Sequence, residues 1–221
     1  MPKFIPIYTG TLRSHSVTLP QCISECSGIR IFGRRIKSLA FSTDVAIIKN
    51  INADAIIAVY PFTPQPVISQ AIINVSDVPV FVGVGGGITT GARSVRLAIQ
   101  AEHQGAYGVV LNAPTANETI HQIKEEVDIP VVITVVSEHT DIRARIDAGA
   151  DFLNVSGAAR TPEIVAHIRR QFPEVPIIAT GGPSDESILE TIRAGANAMT
   201  YTPPSNGELF AQLMEKYRET H

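Results

Sequence analysis

The chain has 221 residues, of which 44% are hydrophobic and 18% charged, and its formal net charge is −3. That is ample apolar sequence for one large core; the charge balance excludes a polyanion partner such as nucleic acid, and no apolar run reaches the roughly 18 residues of a membrane span. Cys22 and Cys26, four apart and without a second pair, exclude a zinc motif and read as reduced thiols, so a cytoplasmic location is expected, with no signal-like opening segment.

Residues 1–35 form an extension that stands outside the period governing the rest. Phe4–Tyr8 is a short strand-like run, Leu19–Cys26 suits a helical turn, and Ile29–Phe32 and Arg35–Leu39 flank Gly33-Arg34 as in a hairpin. From Lys37 onward two signals alternate. A small-residue step leads into an apolar run at Asn52–Ile57, Gln104–Val110, Ala148–Leu153 and Ala194–Met199. Between these stand Val78-Pro79-Val80, Ile129-Pro130-Val131 and Val175-Pro176-Ile177. Successive signals lie roughly 20–28 residues apart, the length of a strand, a helix and two short loops. The glycines of these steps suit the left-handed residue that closes a helix. A proline at a strand's first residue lacks only a donor that the sheet does not yet need.

Strands are predicted near Lys37–Phe41, Asp54–Tyr60, Val80–Gly83, Tyr107–Leu111, Val131–Val135, Phe152–Val155, Ile177–Ala179 and Ala198–Tyr201, as unalternating apolar runs of the kind buried on both faces of a parallel sheet. Helices fall between them: one after Thr43, one from Thr115 with Glu118 as a capping box, one from Thr161-Pro162 with the proline at its first position, and one from Ser205 with Glu208 as a second box. Eight strands each followed by a helix describe an α/β chain with the architecture of a (β/α)8 TIM barrel, one domain over residues 1–221 with eight units in 36–221; a doubly wound open sheet is the alternative.

In such a barrel the site forms at the C-terminal ends of the strands. Gly181 and Gly182, with Ser184, Ser205 and Asn206 near a helix start, offer amides and a positive helix end to a phosphate; Gly157 and Arg160 extend that candidate anion site. Gly85, Gly86 and Gly87 read as a ligand loop where backbone passes close to a bound molecule. Glu138 is the candidate general acid or base, with Asp44 as partner, and Asn112, Asn154 and Tyr201 would orient or polarise a carbonyl. His139, and Arg13 and His15 in the extension, are further polar candidates. None of the five lysines stands at a strand's C-terminal end, which disfavours a Schiff-base aldolase. No metal site and no cofactor are predicted, although Mg²⁺ on Asp44, Asn112 or Glu138, or FMN with its phosphate at Gly181, is left open.

The stretches Ile177–Ser184 and Ala194–Ala198 resemble the closing strands of the phosphate-binding (β/α)8 barrel superfamily, which includes thiazole synthase, N-acylmannosamine-6-phosphate epimerase and class I-type aldolase barrels, over roughly residues 79–202. The resemblance implies phosphate at Gly181, Gly182 and the Ser205 region; the lysines and the catalytic cysteine loop of members of that group have no counterpart. The expected function is that of an enzyme acting on a small phosphorylated metabolite by acid/base chemistry, of isomerase, epimerase or lyase type. The alternatives are a non-catalytic metabolite-binding or regulatory barrel and an FMN-dependent oxidoreductase. The expected partners are the small phosphorylated molecule and, from the low charge content, further copies of the chain in a homo-oligomer; neither nucleic acid nor a membrane is expected.

Overall fold

The structure is a computed structural model that describes residues 4–8, 10 and 17–220. Eight parallel strands close into a barrel: β3 (Ser38–Phe41), β4 (Ala55–Ala58), β5 (Val80–Gly85), β6 (Gly108–Leu111), β7 (Val131–Val135), β8 (Phe152–Val155), β9 (Ile177–Thr180) and β10 (Ala198–Tyr201), with β10 pairing back to β3. All eight predicted strands are present. The helices that follow them in turn are α1 (Val45–Lys49), α2 (Pro66–Val75), α3 (Ala92–His103), α4 (Asn117–Glu126), α5 (Ile142–Asp147), α6 (Thr161–Gln171), α7 (Asp185–Arg193) and α8 (Asn206–Thr220).

The two sequence signals have structural counterparts at the N-terminal end of the barrel. Gly105, Gly149 and Gly195, at φ of 92°, 103° and 115°, stand one residue past the C-caps of α3, α5 and α7, in the left-handed conformation that ends a helix. Pro79, Pro130 and Pro176 each immediately precede a strand, and their carbonyls accept the amides of Ile56, Val109 and Leu153 from the neighbouring strand. The Asp or Asn after three of the small-residue steps closes the same end. Asp54 Oδ2 accepts from the amides of Lys37 and Ser38, Asp151 Oδ2 from that of Val131, and Asn197 Oδ1 from that of Ile177. These recurrent polar residues fasten strand starts and face away from the end where chemistry is expected.

Alternation along the strands separates two cores. Inward-facing Leu39, Ile57, Phe81, Val110, Val132, Ile178 and Ala198 cluster with Ile29, Ile31 and Ile36. The outward-facing residues, among them Ala40, Ile56, Val109, Ile133 and Met199, pack under helix residues such as Ile120, Ile164 and Ile188. The isoleucines of the inner cluster come from an antiparallel hairpin, β1 (Ile29–Ile31) and β2 (Arg34–Ile36), at the position expected. It closes the N-terminal end of the barrel, where the Tyr107 hydroxyl donates to the Ile31 carbonyl at 3.0 Å. Burying three isoleucines there contributes roughly 1.5–3 kcal/mol each. A short 3-10 helix, Gln21–Glu25, occupies the predicted helical turn. Burial pushes the Cys26 thiol up to about 11, so it is neutral at physiological pH.

Three local expectations are corrected. Phe4–Tyr8 forms no strand, and Phe4, Ile5, Ile7 and Tyr8 are exposed; the closed barrel offers no edge for a further strand. Thr115 does not cap a helix. Its buried hydroxyl donates to the Asn112 carbonyl, and α4 begins at Asn117 without a side-chain cap. Thr161 lies inside α6 rather than before it: its hydroxyl donates to Ala158 and accepts from the Gly157 amide, tying the β8–α6 turn together. The Ser205–Glu208 box forms as expected, and Ser184 caps α7 through a box with Ser187.

Candidate functional site

The C-terminal mouth of the barrel holds a cavity of about 270 Å³ whose lining follows from strand alternation. Residues that continue the inward-facing series by one or two steps reach it. Phe41, Ile57, Val59 and Val110 make one wall apolar; Asn112, Thr134, Asn154, Ser156, Thr180, Thr200 and Thr202, from β6 to β10 and the turns after them, make the other a row of amides and hydroxyls. Among the described residues no ionisable side chain lines this cavity. Two buried polar atoms in it have no hydrogen-bond partner, the Asn154 Oδ1 and the Thr200 Oγ1. Thr200 is 5% exposed. Asn154 Nδ2 reaches only the Thr134 hydroxyl, at 3.4 Å. Buried polar groups are ordinarily satisfied, and each orphan costs about 1–3 kcal/mol. Both belong to residues that line the polar wall, and among the described residues neither atom has a partner.

Two further cavities adjoin the mouth. One of about 560 Å³ runs outward between α6 and α7; it shares Ser156 and Thr180 with the mouth and is lined by Ala158, Ala159, Gly181 and Gly182. Ala158 has a φ of 52°, a left-handed conformation that costs an alanine about a kcal/mol or more and that clusters at functional sites. A smaller one, about 100 Å³, lies between Tyr60–Pro64 and the glycine loop, and shares Val59 and Asn112 with the mouth.

The structure brings some sequence candidates together and leaves others apart. Asn112 and Asn154 line the mouth, and Gly181 and Gly182 line the adjoining cavity. Gly85 and Gly86 have φ of 151° and 104°. A Cβ on Gly85 would meet Ser94 Oγ at 2.1 Å, and one on Gly86 the Asn112 amide nitrogen at 2.5 Å. The Gly85 carbonyl accepts from that Asn112 amide at 3.0 Å. These two glycines therefore serve to seat Asn112, while a Cβ on Gly87 would meet nothing within 4 Å.

Tyr201 follows Thr200 on β10 and so points the other way, packing against the outer core. Asp44 caps α1, its Oδ1 accepting from the amides of Ala46 and Ile47, and its Oδ2 accepts from the Asn206 amide at 3.2 Å. Glu208 accepts from the Ser205 amide and hydroxyl. Two carboxylates thus already occupy the first turn of α8, where Ser205 and Asn206 were expected to hold an anion. The Gly181 amide donates to the Thr200 carbonyl; among the described residues that of Gly182 has no partner.

Glu138 lies outside the mouth lining, in an ion pair at 2.6 Å with Arg160, whose Nε also faces Glu163 at 3.4 Å; His139 stands 3.8 Å from Glu138. The Arg160 guanidinium, by hydrogen bond and charge, holds the Glu138 carboxyl below the usual carboxylate range. Arg13 and His15 lie outside the described residues. Ser156, Thr180 and Thr202 stand at the strand ends, where the site was expected, without an assigned role; Thr134 and Thr200, inside strands, were not among the sequence candidates. The signal that finds them is a lone polar residue in an apolar strand, repeated on neighbouring strands: Ile133-Thr134-Val135, Leu153-Asn154-Val155, Met199-Thr200-Tyr201.

Among the described residues no group of three His, Cys, Asp or Glu side chains could share a metal ion. The mouth's own donors are neutral amides and hydroxyls, which do not supply the carboxylates that ordinarily hold Mg²⁺.

No family model matches the chain. A stretch of 95 residues is 26% identical to thiamine-phosphate synthase of Geobacillus thermodenitrificans, covering 38% of this chain and 43% of that protein; the matched region is thus less than half the length of that relative. Among solved structures, 2,3-dimethylmalate lyase, a member of the PEP mutase/isocitrate lyase superfamily, superposes with a TM-score of 0.66 at 15% identity over 90% of this chain and 82% of its own. Phosphoenolpyruvate phosphomutase from Streptomyces platensis subsp. rosaceus gives 0.61 at 14% identity over 82% and 80%. At these identities the likeness is one of fold: a (β/α)8 barrel of the kind that these enzymes share.

Proposed function

We propose that this chain is an enzyme of lyase or isomerase type that binds a small phosphorylated metabolite at the barrel mouth. The observation that carries the reading is the pair of buried, unpartnered polar atoms, Asn154 Oδ1 and Thr200 Oγ1, on the wall of a cavity at the strand ends. The lyase and the phosphomutase whose fold it shares support the reaction class. The amides of Asn112 and Asn154 and the threonine hydroxyls orient the ligand and polarise its reacting carbonyl. Its phosphate lies in the adjoining cavity, against the backbone of Gly181–Gly182 and Ala158–Ala159 and away from Glu190, which also lines it; Arg160, next to Ala159 in the chain, is the cation proposed to turn toward it. Glu138 is the proton-transfer group. It stands outside the mouth lining, paired with Arg160, and as an ionised carboxylate it would serve as the base.

A second reading, a barrel that binds the metabolite without converting it, is favoured by one observation: among the described residues no ionisable group lines the mouth. The two are separated by incubating the protein with whichever phosphorylated compound stabilises it and following ³¹P resonances. New resonances at a rate proportional to protein support the enzyme; an unchanged spectrum with tight binding leaves the binding barrel. Among the described residues the FMN alternative has neither a Lys nor an Arg in the mouth to face a flavin ring.

A further inference from the structure

The mouth cavity is divided by chemistry. On one side stand Phe41, Ile57 and Val59; on the other, the hydroxyls of Thr134, Thr180 and Thr200 and the amide of Asn154. Among the described residues no cation lines the chamber to meet a carboxylate or phosphate, and burying a charge without a partner costs far more than burying a hydroxyl that is hydrogen-bonded. A wholly apolar group would leave Asn154 Oδ1 and Thr200 Oγ1 as unpartnered as they now are. Asn154 Oδ1 is an acceptor only and demands an N–H or O–H; the Thr200 hydroxyl both gives and accepts. The molecule that satisfies both walls has C–H groups along one face and hydroxyls along the other.

Resting on the reading above, we infer that the part of the ligand inside the barrel is a neutral, hydroxyl-bearing carbon chain of sugar or polyol type. One of its hydroxyls donates to Asn154 Oδ1 and another is paired with Thr200. The phosphate stays outside this chamber, so the ligand class is a sugar phosphate rather than a phosphorylated carboxylic acid. Asn154 and Thr200 set specificity; they hold the ligand and move no proton.

Calorimetric titration of the full chain tests this with pentose and tetrose phosphates, with phosphoglycolate and phosphoenolpyruvate, with ribose, and with inorganic phosphate. The sugar phosphates are expected to bind at least about tenfold more tightly than the two carboxylates. Thr200→Val and Asn154→Leu are each expected to weaken sugar phosphate about tenfold while leaving inorganic phosphate unchanged. Thr200→Val removes a hydroxyl that has no partner, so its melting temperature stays the same or rises and lost affinity is not unfolding. Carboxylates binding as tightly as sugar phosphates, or sugar-phosphate affinity untouched in both variants, overturns the inference while phosphate binding itself stands. Ribose binding that depends on Thr200, with no phosphorylated compound binding, upholds the hydroxyl-bearing occupant of the chamber but overturns the sugar-phosphate class together with the phosphorylated-ligand reading. No binding by any compound overturns both.

Discussion

Glu138 and Thr200 show how differently two polar side chains in one barrel are held. The Glu138 carboxyl is partnered by Arg160 at 2.6 Å and its ionised form is favoured. Its contribution to stability is therefore present above the ordinary carboxylate pKa of about 4.3 and is lost as pH falls through the lowered folded value. A surface pair of this kind carries little stability, so Glu138→Gln is expected to fold normally. It is also expected to bind phosphorylated ligand within about twofold of the parent and to lose conversion by roughly 10²-fold or more. Undiminished turnover in that variant would remove Glu138 from the mechanism. Thr200, by contrast, was invisible as a candidate. A reading of strand ends passes over residues within the strands, where Thr134 and Thr200 of this cavity lie. Tyr201 was favoured for its chemistry and is excluded from the mouth by alternation, one position from the residue that faces it.

At the scale of elements, the glycine loop after β5 separates what a sequence can and cannot say. Three consecutive glycines announce an unusual backbone, and two of them have one, but the close approach they permit is to Ser94, Thr89 and the Asn112 turn rather than directly to a ligand. Gly86→Ala is expected to destabilise by about 1–3 kcal/mol through its positive φ and the contact with Asn112, and to weaken ligand binding by displacing that side chain. Gly87→Ala, with open space around its Cα, should lie within about 0.5 kcal/mol of the parent. Paired chemical denaturation of the two variants checks this; equal stability would mean that the loop does not seat Asn112. The phosphate expectation at α8 shows the converse problem. A helix start with Ser and Asn is the same sequence whether its amides await an anion or are already taken, and here Asp44, 162 residues earlier, takes one of them.

At the scale of the whole molecule the architecture was legible because it repeats. The left-handed glycines at helix ends and the prolines before strands alternate along the chain, and each has one structural role that the closed barrel uses in turn. The hairpin of residues 29–36 was legible as a hairpin. That it plugs the barrel was only one of the placements open to it, because the cluster that Ile29, Ile31 and Ile36 join is assembled from residues far apart in the sequence, from Leu39 to Ala198. The surface shows what a lone copy leaves uncovered: Phe210, Leu213 and Met214 on one side of α8, and Phe4, Ile5, Ile7 and Tyr8 near the start of the chain, are all exposed. Exposed apolar side chains grouped on one helix face, as Phe210, Leu213 and Met214 are by their spacing, are of the kind that marks interaction sites. The chain is accordingly expected to self-associate: light scattering should give a mass at least twice that of one chain, and Leu213→Glu should lower it. A monomer at micromolar concentration would contradict this.

The most direct test of a ligand-completed mouth is the melting temperature of the full chain with and without a panel of phosphorylated sugars, phosphorylated acids, nucleotides and inorganic phosphate. A ligand at about 100 times its Kd adds roughly 2.7 kcal/mol, which raises the midpoint by roughly 5–10 °C in a chain of this size. Such a rise is expected with one class of phosphorylated compound and is expected to shrink in Thr200→Val. No rise with any member of the panel would contradict the assignment of this barrel to phosphorylated metabolites.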